Sequence, residues 1–289
     1  MLGFVGKTFS TIMVKAHLAA DVLIHGILRS LSAKSDTSGE DLSRCPVCSS
    51  EEIVFFHNNG RFRVYSCIEC THKFVVNPWS HQKLSLHYQG QLKWHLDRNH
   101  QGIHSVDNDG EWDGFIKARW HTLTSHNILD QFKHSNIKIL EIGCAEGRLL
   151  AFLKKKGYDV TGCEVNSTIA RLGREKLGIE IVDKPIENCS FADSSFDVIF
   201  SFHAFEHLRD PLTTLARCKN LLKADGKILL ELPVDEEELS NRDHLHFFSE
   251  RSGKLMVEKV FGNVSASDSW YVTSKGAKVG SIYLTAQKI

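Results

Sequence analysis

The chain has 289 residues, enough for one large domain or two modest ones, and its 42% hydrophobic content can fill a sizeable core. Lys+Arg and Asp+Glu both total 35, so the formal net charge is zero. This excludes the strongly basic balance of a dedicated nucleic-acid binder and leaves only a local basic patch for that role.

In chain order, residues 1–40 read as an amphipathic helix followed by a linker. Leu2, Val5, Phe9, Ile12, Ala16, Ala19, Leu23, Ile27 and Leu31 fall on one helical face. Lys7, Lys15, Asp21, His25 and Arg29 recur too often for a membrane span, which needs about 20 mainly apolar residues. The expected role is packing on the protein or a partner. The alternative is a peripheral membrane anchor, because Asp21 is the single acid in residues 1–34. The polar stretch 33–43 closes this segment.

Residues 41–78 carry Cys45-Pro46-Val47-Cys48 and Cys67-Ile68-Glu69-Cys70, separated by 18 residues. A CxxC turn lets two thiolates converge from one tight loop, and two such turns complete the tetrahedron that structural zinc prefers. Four protein ligands leave no open position, so the expected Zn2+ is structural. A redox CxxC would sit at a strand–helix junction, and none is present here. Phe55, Phe56, Phe62, Tyr65 and Phe74 are expected to form a small core around the metal. The other four cysteines, Cys144, Cys163, Cys189 and Cys218, are scattered through apolar sequence. That usage belongs to a reducing compartment and predicts a cytoplasmic location.

Residues 79–125 are rich in His and Trp and are expected to form a helical lid bearing Tyr88, Trp94, Trp112 and Trp120. His81, His87, His95, His100 and His104 are too irregularly spaced to read as metal ligands.

From residue 126 to 289, strand-like runs alternate with helical stretches. The runs are 137–142, 159–164, 179–182, 196–202, 226–232, 264–269 and 281–287. Such alternation predicts a doubly covered, mainly parallel α/β sheet of Rossmann-like type with seven strands. In the run LEIGCAEG, 140–147, a strand ends in a small-residue turn that opens a helix. Gly143 and Gly147 allow a sharp turn and close approach to a ligand at the helix N-terminus. The next strand ends in GCEVN, placing Glu164 about 20 residues after the turn, where an acid can accept hydrogen bonds from both ribose hydroxyls.

The series LEIGCAEG, GCEVN, SFDVIF, FEHLRDP and LLKADGKILLELP closely resembles the class I S-adenosylmethionine (SAM)-dependent methyltransferases, and HLHFFSERSGKLMVEKVFG extends the likeness. A dehydrogenase would share the glycine turn but not this series. The four-cysteine ribbon ending in Phe74-Val75-Val76-Asn77-Pro78 resembles a module in front of some bacterial members, several of which modify sugars and polysaccharide precursors. The resemblance implies a SAM cofactor with Glu141, Gly143, Cys144 and Ala145 at its methionine end. It places Glu164 and Val165 at ribose and adenine, Ile186 at adenine, and Ser201 and Phe202 on the sulfonium side. Ala145 stands where a third glycine is usual, and Pro185 where many relatives place an acid.

The expected reaction is methyl transfer to a small-molecule or glycan-precursor acceptor. Alignment of acceptor and donor supplies most of the catalysis. A hydroxyl acceptor also needs a base, for which His203, His207, His244 and His246 are the candidates. His203, Glu206 and His207 resemble the E-x-x-E-H set of ubiquinone-type O-methyltransferases, which binds a divalent metal. Because His replaces the first acid, the ordinary helix-positioning turn is the preferred reading. Two alternatives stand beside the small-molecule enzyme. One is an RNA methyltransferase that uses the ribbon and its Arg61-Phe62-Arg63 turn to hold RNA. The other is a non-catalytic scaffold with a SAM fold.

Overall fold

The computed structural model describes residues 41–89, 114–129, 137–234, 243–272 and 278–289. The amphipathic segment 1–34 and His95, His100, His104, Trp94 and Trp112 lie outside the described residues. Among the described residues no helix is long and apolar enough to cross a membrane.

Two sheets organise the molecule. The first is antiparallel, in the order β1 (Ile53–Asn59), β2 (Phe62–Cys67), β3 (Lys73–Val75), β9 (His246–Phe247). Its first three strands come from the cysteine-rich segment. Its fourth comes from far along the chain, where Lys73 pairs with Phe247 and Phe74 with His246.

The second sheet has seven strands in the order β10-β11-β8-β7-β4-β5-β6. These are β4 (Lys138–Ile142), β5 (Asp159–Cys163), β6 (Glu180–Val182), β7 (Phe196–Phe202), β8 (Leu222–Val234), β10 (Val264–Val272) and β11 (Lys278–Gln287). Strands β4 to β8 run parallel, and β11 is antiparallel to both β8 and β10. This is the expected α/β Rossmann-like arrangement with a mixed sheet. β7 is buried on both faces apart from Asp197, as a central strand covered by helices must be. β8 starts earlier than the apolar run predicts. Leu222 already pairs with Phe196, and a register shift then restores pairing from Val198.

Six helices are described: α1 (His81–Gln89), α2 (Gly114–Ser125), α3 (Arg148–Lys155), α4 (Ser167–Leu177), α5 (Pro211–Leu221) and α6 (Glu250–Phe261). Their starts follow local chemistry. The Asn166 side chain accepts from the Thr168 and Ile169 amides to cap α4. Asp210 caps α5, where Pro211 fills the first turn, and Ser249 with Ser252 forms a capping box on α6.

A small apolar core of Phe62, Val64, Val75, Trp79, Leu84, Leu245 and Phe247 forms beside two larger ones. One gathers α2, α3 and α4 residues such as Ile116, Leu123, Leu150, Leu153 and Ala170. The other joins Leu215, Cys218, Met256 and Val257 to Cys45, Val47, Cys67, Cys70, Phe74 and Val76 of the cysteine module. The core expected around the cysteines is therefore divided: Phe74 belongs to the larger core with the cysteines, and Phe62 to the small separate one. Phe62 and Phe74 are buried, but Phe55 and Phe56 are 56% and 47% exposed, a correction to the sequence reading. They sit on β1, an edge strand partnered only by β2, where Phe55 meets the Tyr65 ring edge-on and Lys73 lies over Phe56.

Candidate active site and four-cysteine cluster

The chain turns sharply as it leaves β4. Gly143 has φ 71°, and a Cβ there would come within 2.7 Å of Ala204 Cβ. Glycine is needed at this point both for the dihedral and to let the turn after β4 press against the turn after β7. Gly162 does similar work one strand over, because a Cβ there would meet Cys144 Sγ at 2.4 Å. Cys144 thus packs its thiol into the sheet. Ala145, the unusual third residue of the turn, holds φ 50°, and Gly147 forms the N-cap of α3, whose first-turn amides have no side-chain cap.

Two carboxylates flank this turn. Glu164 is buried and accepts from the Ala145 amide at 3.0 Å and the Asn166 amide at 2.8 Å. Burial raises its pKa, and those two amides oppose the rise. Glu141, on β4, is 1% exposed, and its Oε2 has no hydrogen-bond partner among the described residues. Burial pushes its carboxyl up to about 8, partly offset by Arg119, whose guanidinium nitrogen lies 3.7 Å away. That guanidinium also stands 4.6 Å over the Phe202 ring. Ser201 spends its hydroxyl on the Ile142 carbonyl at 3.1 Å, joining β7 to β4. Ile186 is buried in a short turn after Pro185, and the Val165 carbonyl accepts from Gln89 Nε2 at 2.6 Å.

Beyond β7 a second cluster forms. Glu206 is 1% exposed, and its Oε2 has no hydrogen-bond partner among the described residues. Its Oε1 faces His207 Nε2 at 3.7 Å, His244 Nε2 at 3.8 Å and His203 Nδ1 at 3.8 Å. His207 Nδ1–H donates to the Asp243 carbonyl at 3.0 Å, which leaves Nε2 as the lone-pair nitrogen. His244 is held neutral, its pKa lowered to about 3 first by burial and then by His207.

The set that converges is Glu206, His207 and His244, with ligand atoms within 4.8 Å of one another. The sequence trio differs by one member. His203, at φ 53°, turns its Nε2 toward Glu231 Oε1 at 3.0 Å. The reading of His246 as a base needs correction. Its Nε2–H donates to the Leu208 carbonyl at 2.9 Å, and its Nδ1 accepts from His72 Nε2 at 3.0 Å. Both ring nitrogens are occupied, so no lone pair remains to take a proton.

Residues 140–230 match the family model for a methyltransferase domain. This segment of the protein is similar to a methyltransferase domain. Over 95 residues the chain is 35% identical to a ubiquinone biosynthesis O-methyltransferase of Cereibacter sphaeroides, covering 31% of this chain and 38% of that protein. It is 37% identical over 98 residues to the protein of the same name from Dinoroseobacter shibae, covering 32% and 40%. The chain therefore spans about two-fifths of the length of these relatives. A solved Galdieria sulphuraria structure, described as a sarcosine dimethylglycine methyltransferase, superposes with a TM-score of 0.50 at 14% identity. It covers 62% of this chain and 92% of that one and attests the fold.

The methyltransferase domain draws on residues outside the matched span that its motifs do not reveal. Arg119 reaches Glu141 from α2, Gln89 reaches Val165 from α1, and Asp243 orients His207. Each lies far along the chain from its partner, so spacing offered no signal.

The four cysteines converge at the far edge. Cys45 Sγ and Cys70 Sγ are 3.6 Å apart, and Cys48 Sγ and Cys67 Sγ are 3.4 Å apart, with all four sulfurs within 4.8 Å. A tetrahedron of Zn–S bonds near 2.3 Å requires sulfurs about 3.8 Å apart, so the thiols fit that ion. The two loops match: Ser49 and Thr71, each following the second cysteine of its pair, hold φ 67° and 62°. Of the adjacent basic turn, Arg61 stacks on Trp79 at 3.8 Å, Arg63 pairs with Asp41, and Phe62 is buried.

Proposed function

We propose that this protein transfers a methyl group from SAM to a hydroxyl of a small-molecule or glycan-precursor acceptor, with His207 as the general base. The observation that carries the reading is the fixed tautomer of His207. Its Nδ1–H is spent on the Asp243 carbonyl, and its Nε2 lone pair lies 3.7 Å from the buried Glu206 carboxylate. That pair stands beside the glycine turn, since Gly143 packs on Ala204. A base oriented by a third group within reach of an acceptor is the arrangement hydroxyl activation needs.

The residues suited to hold SAM are Glu141 at the methionine end, Glu164 and Val165 at ribose and adenine, and Ile186 against the adenine face. The orphaned Glu141 Oε2 supports this, because a buried carboxylate oxygen without a donor is costly and a ligand ammonium would supply one. When bound, SAM supplies an electrophilic methyl on a cationic sulfonium. The surrounding Glu141, Glu164 and Glu206 suit that cation. His207 Nε2 takes the acceptor proton, and Glu206 stabilises the imidazolium that forms. The O-methyltransferase names of the partial relatives support a hydroxyl acceptor.

We assign a structural Zn2+ to Cys45, Cys48, Cys67 and Cys70. Arg61 and Arg63 are engaged within the protein, which counts against the ribbon as an RNA-holding module.

The test is isotope-labelled SAM with a fractionated cell extract, scored in small-molecule, glycan, protein and RNA fractions. Label in the small-molecule or glycan fraction supports the reading, and label in RNA alone overturns it. Undiminished transfer in EDTA separates a His207 base from a divalent-cation role for Glu206, His207 and His244.

A further inference from the structure

Helix α1 precedes the matched methyltransferase span, yet its last turn is fastened to the tip of β5. Asn166 Nδ2 donates to the Tyr88 carbonyl at 2.7 Å. Gln89 Nε2 donates to the Val165 carbonyl at 2.6 Å, and Gln89 Oε1 accepts from the Ser167 amide and hydroxyl at 3.1 and 3.0 Å. Four hydrogen bonds thus hold Tyr88 against the segment that begins with Glu164. Its ring meets the His207 ring edge-on, with centroids 5.9 Å apart at 83°. Tyr88 therefore spans the gap between the expected ribose acid and the expected base.

Its hydroxyl is buried and has no hydrogen-bond partner among the described residues. Burial, then Asp243, Glu206 and Glu164, push its pKa well above 10, so it remains an O–H donor. A buried donor left unmade is unfavourable, so an unsatisfied group in a native protein calls for a partner such as a bound ligand, ion or water. Glu141 Oε2 is the matching orphan on the other side of the glycine turn.

We propose that Tyr88 completes the cofactor site from outside the methyltransferase domain, its hydroxyl donating a hydrogen bond to an oxygen of the bound S-adenosyl ligand. This rests on the SAM reading above. The helix α1 is then part of the binding site, and its anchoring to Val165, Asn166 and Ser167 preorganises the adenosine edge.

The experiment is calorimetric titration of the full chain and its Tyr88→Phe variant with S-adenosylhomocysteine, together with melting curves of both unliganded proteins. Phenylalanine keeps the ring contact with His207 and removes only the hydroxyl. The expected result is about three- to tenfold weaker binding by the variant, with an unliganded Tm equal to or above that of the wild type. A hydroxyl that served packing alone would lower the unliganded Tm and leave affinity unchanged. Equal affinity of the two proteins overturns the assignment of Tyr88 alone. Absence of binding by the wild type overturns the SAM reading and this proposal with it.

Discussion

His72 Nε2 lies 3.0 Å from His246 Nδ1, and the two rings stack with centroids 5.3 Å apart. Because His246 Nε2–H is committed to the Leu208 carbonyl, the shared proton sits on His72. Phe74 stacks on the His72 ring, and Phe248 meets it at a 35° tilt. One histidine belongs to the cysteine-rich segment and the other to β9, two residues beyond His244. The contact fastens the cysteine module to the strand that leads out of the candidate site.

His72 is fully buried, so His72→Ala removes a packed ring and strands the His246 Nδ1 acceptor. The variant is expected to lose about 2–4 kcal/mol of stability. The check is the denaturant midpoint at constant slope. A loss below about 0.5 kcal/mol would show that the two sheets hold together without this contact.

Metal analysis of purified protein is expected to give close to one equivalent of zinc, and cobalt exchange should give the absorption of a tetrahedral thiolate site. Cys67→Ser removes one ligand from a site whose cysteines belong to the larger apolar core. Its Tm is expected to fall by roughly 10 °C, corresponding to about 3 kcal/mol at 2–4 °C per kcal/mol. Zinc below half an equivalent in the wild type would refute the metal assignment.

Glu141 gives a pH signature of defined sign. Its folded pKa of about 8 lies above the ordinary value of 4.5 because the carboxyl is buried. The neutral acid therefore favours the fold. Its contribution is complete below 4.5 and is lost as pH rises through about 8, at no more than about 1.4 kcal/mol per pH unit. Glu141→Gln, which stays neutral, is expected to show a flatter dependence of stability from pH 5 to 8. Parallel curves for the two proteins would place the raised pKa elsewhere.

His207→Ala is expected to reduce methyl transfer by about 10²- to 10⁴-fold, the range for loss of a positioned base. S-adenosylhomocysteine affinity should hold within about twofold, since His207 faces the acceptor side. His246→Ala should act chiefly on stability, because neither nitrogen of His246 is available for proton transfer. Comparing rate with melting temperature for the two variants separates the roles.

Much of the site was legible because its signals are local. The glycine turn and the acid at the end of β5 depend on residues within a few positions of a strand end. The paired CxxC spacing implied convergence for the same reason. The β1 aromatics were misplaced because apolar character does not tell an edge strand from a covered one. His246 looked as available as His207 until partners from residues 72 and 208 came into view.

The sequence alone determined the periodicities, turns and ligand pairs from which a Rossmann-like sheet and a thiol cluster could be inferred, because backbone sterics and short-range hydrogen bonding govern them. Tertiary structure decided which side chains share a site. Packing brings Arg119 to Glu141, Asp243 to His207 and Tyr88 to the gap between Glu164 and His207. It also decided that His246–Phe247 closes the sheet of the cysteine module. Burial and long-range contact set charge state and hydrogen-bond capacity, and neither is encoded in spacing along the chain.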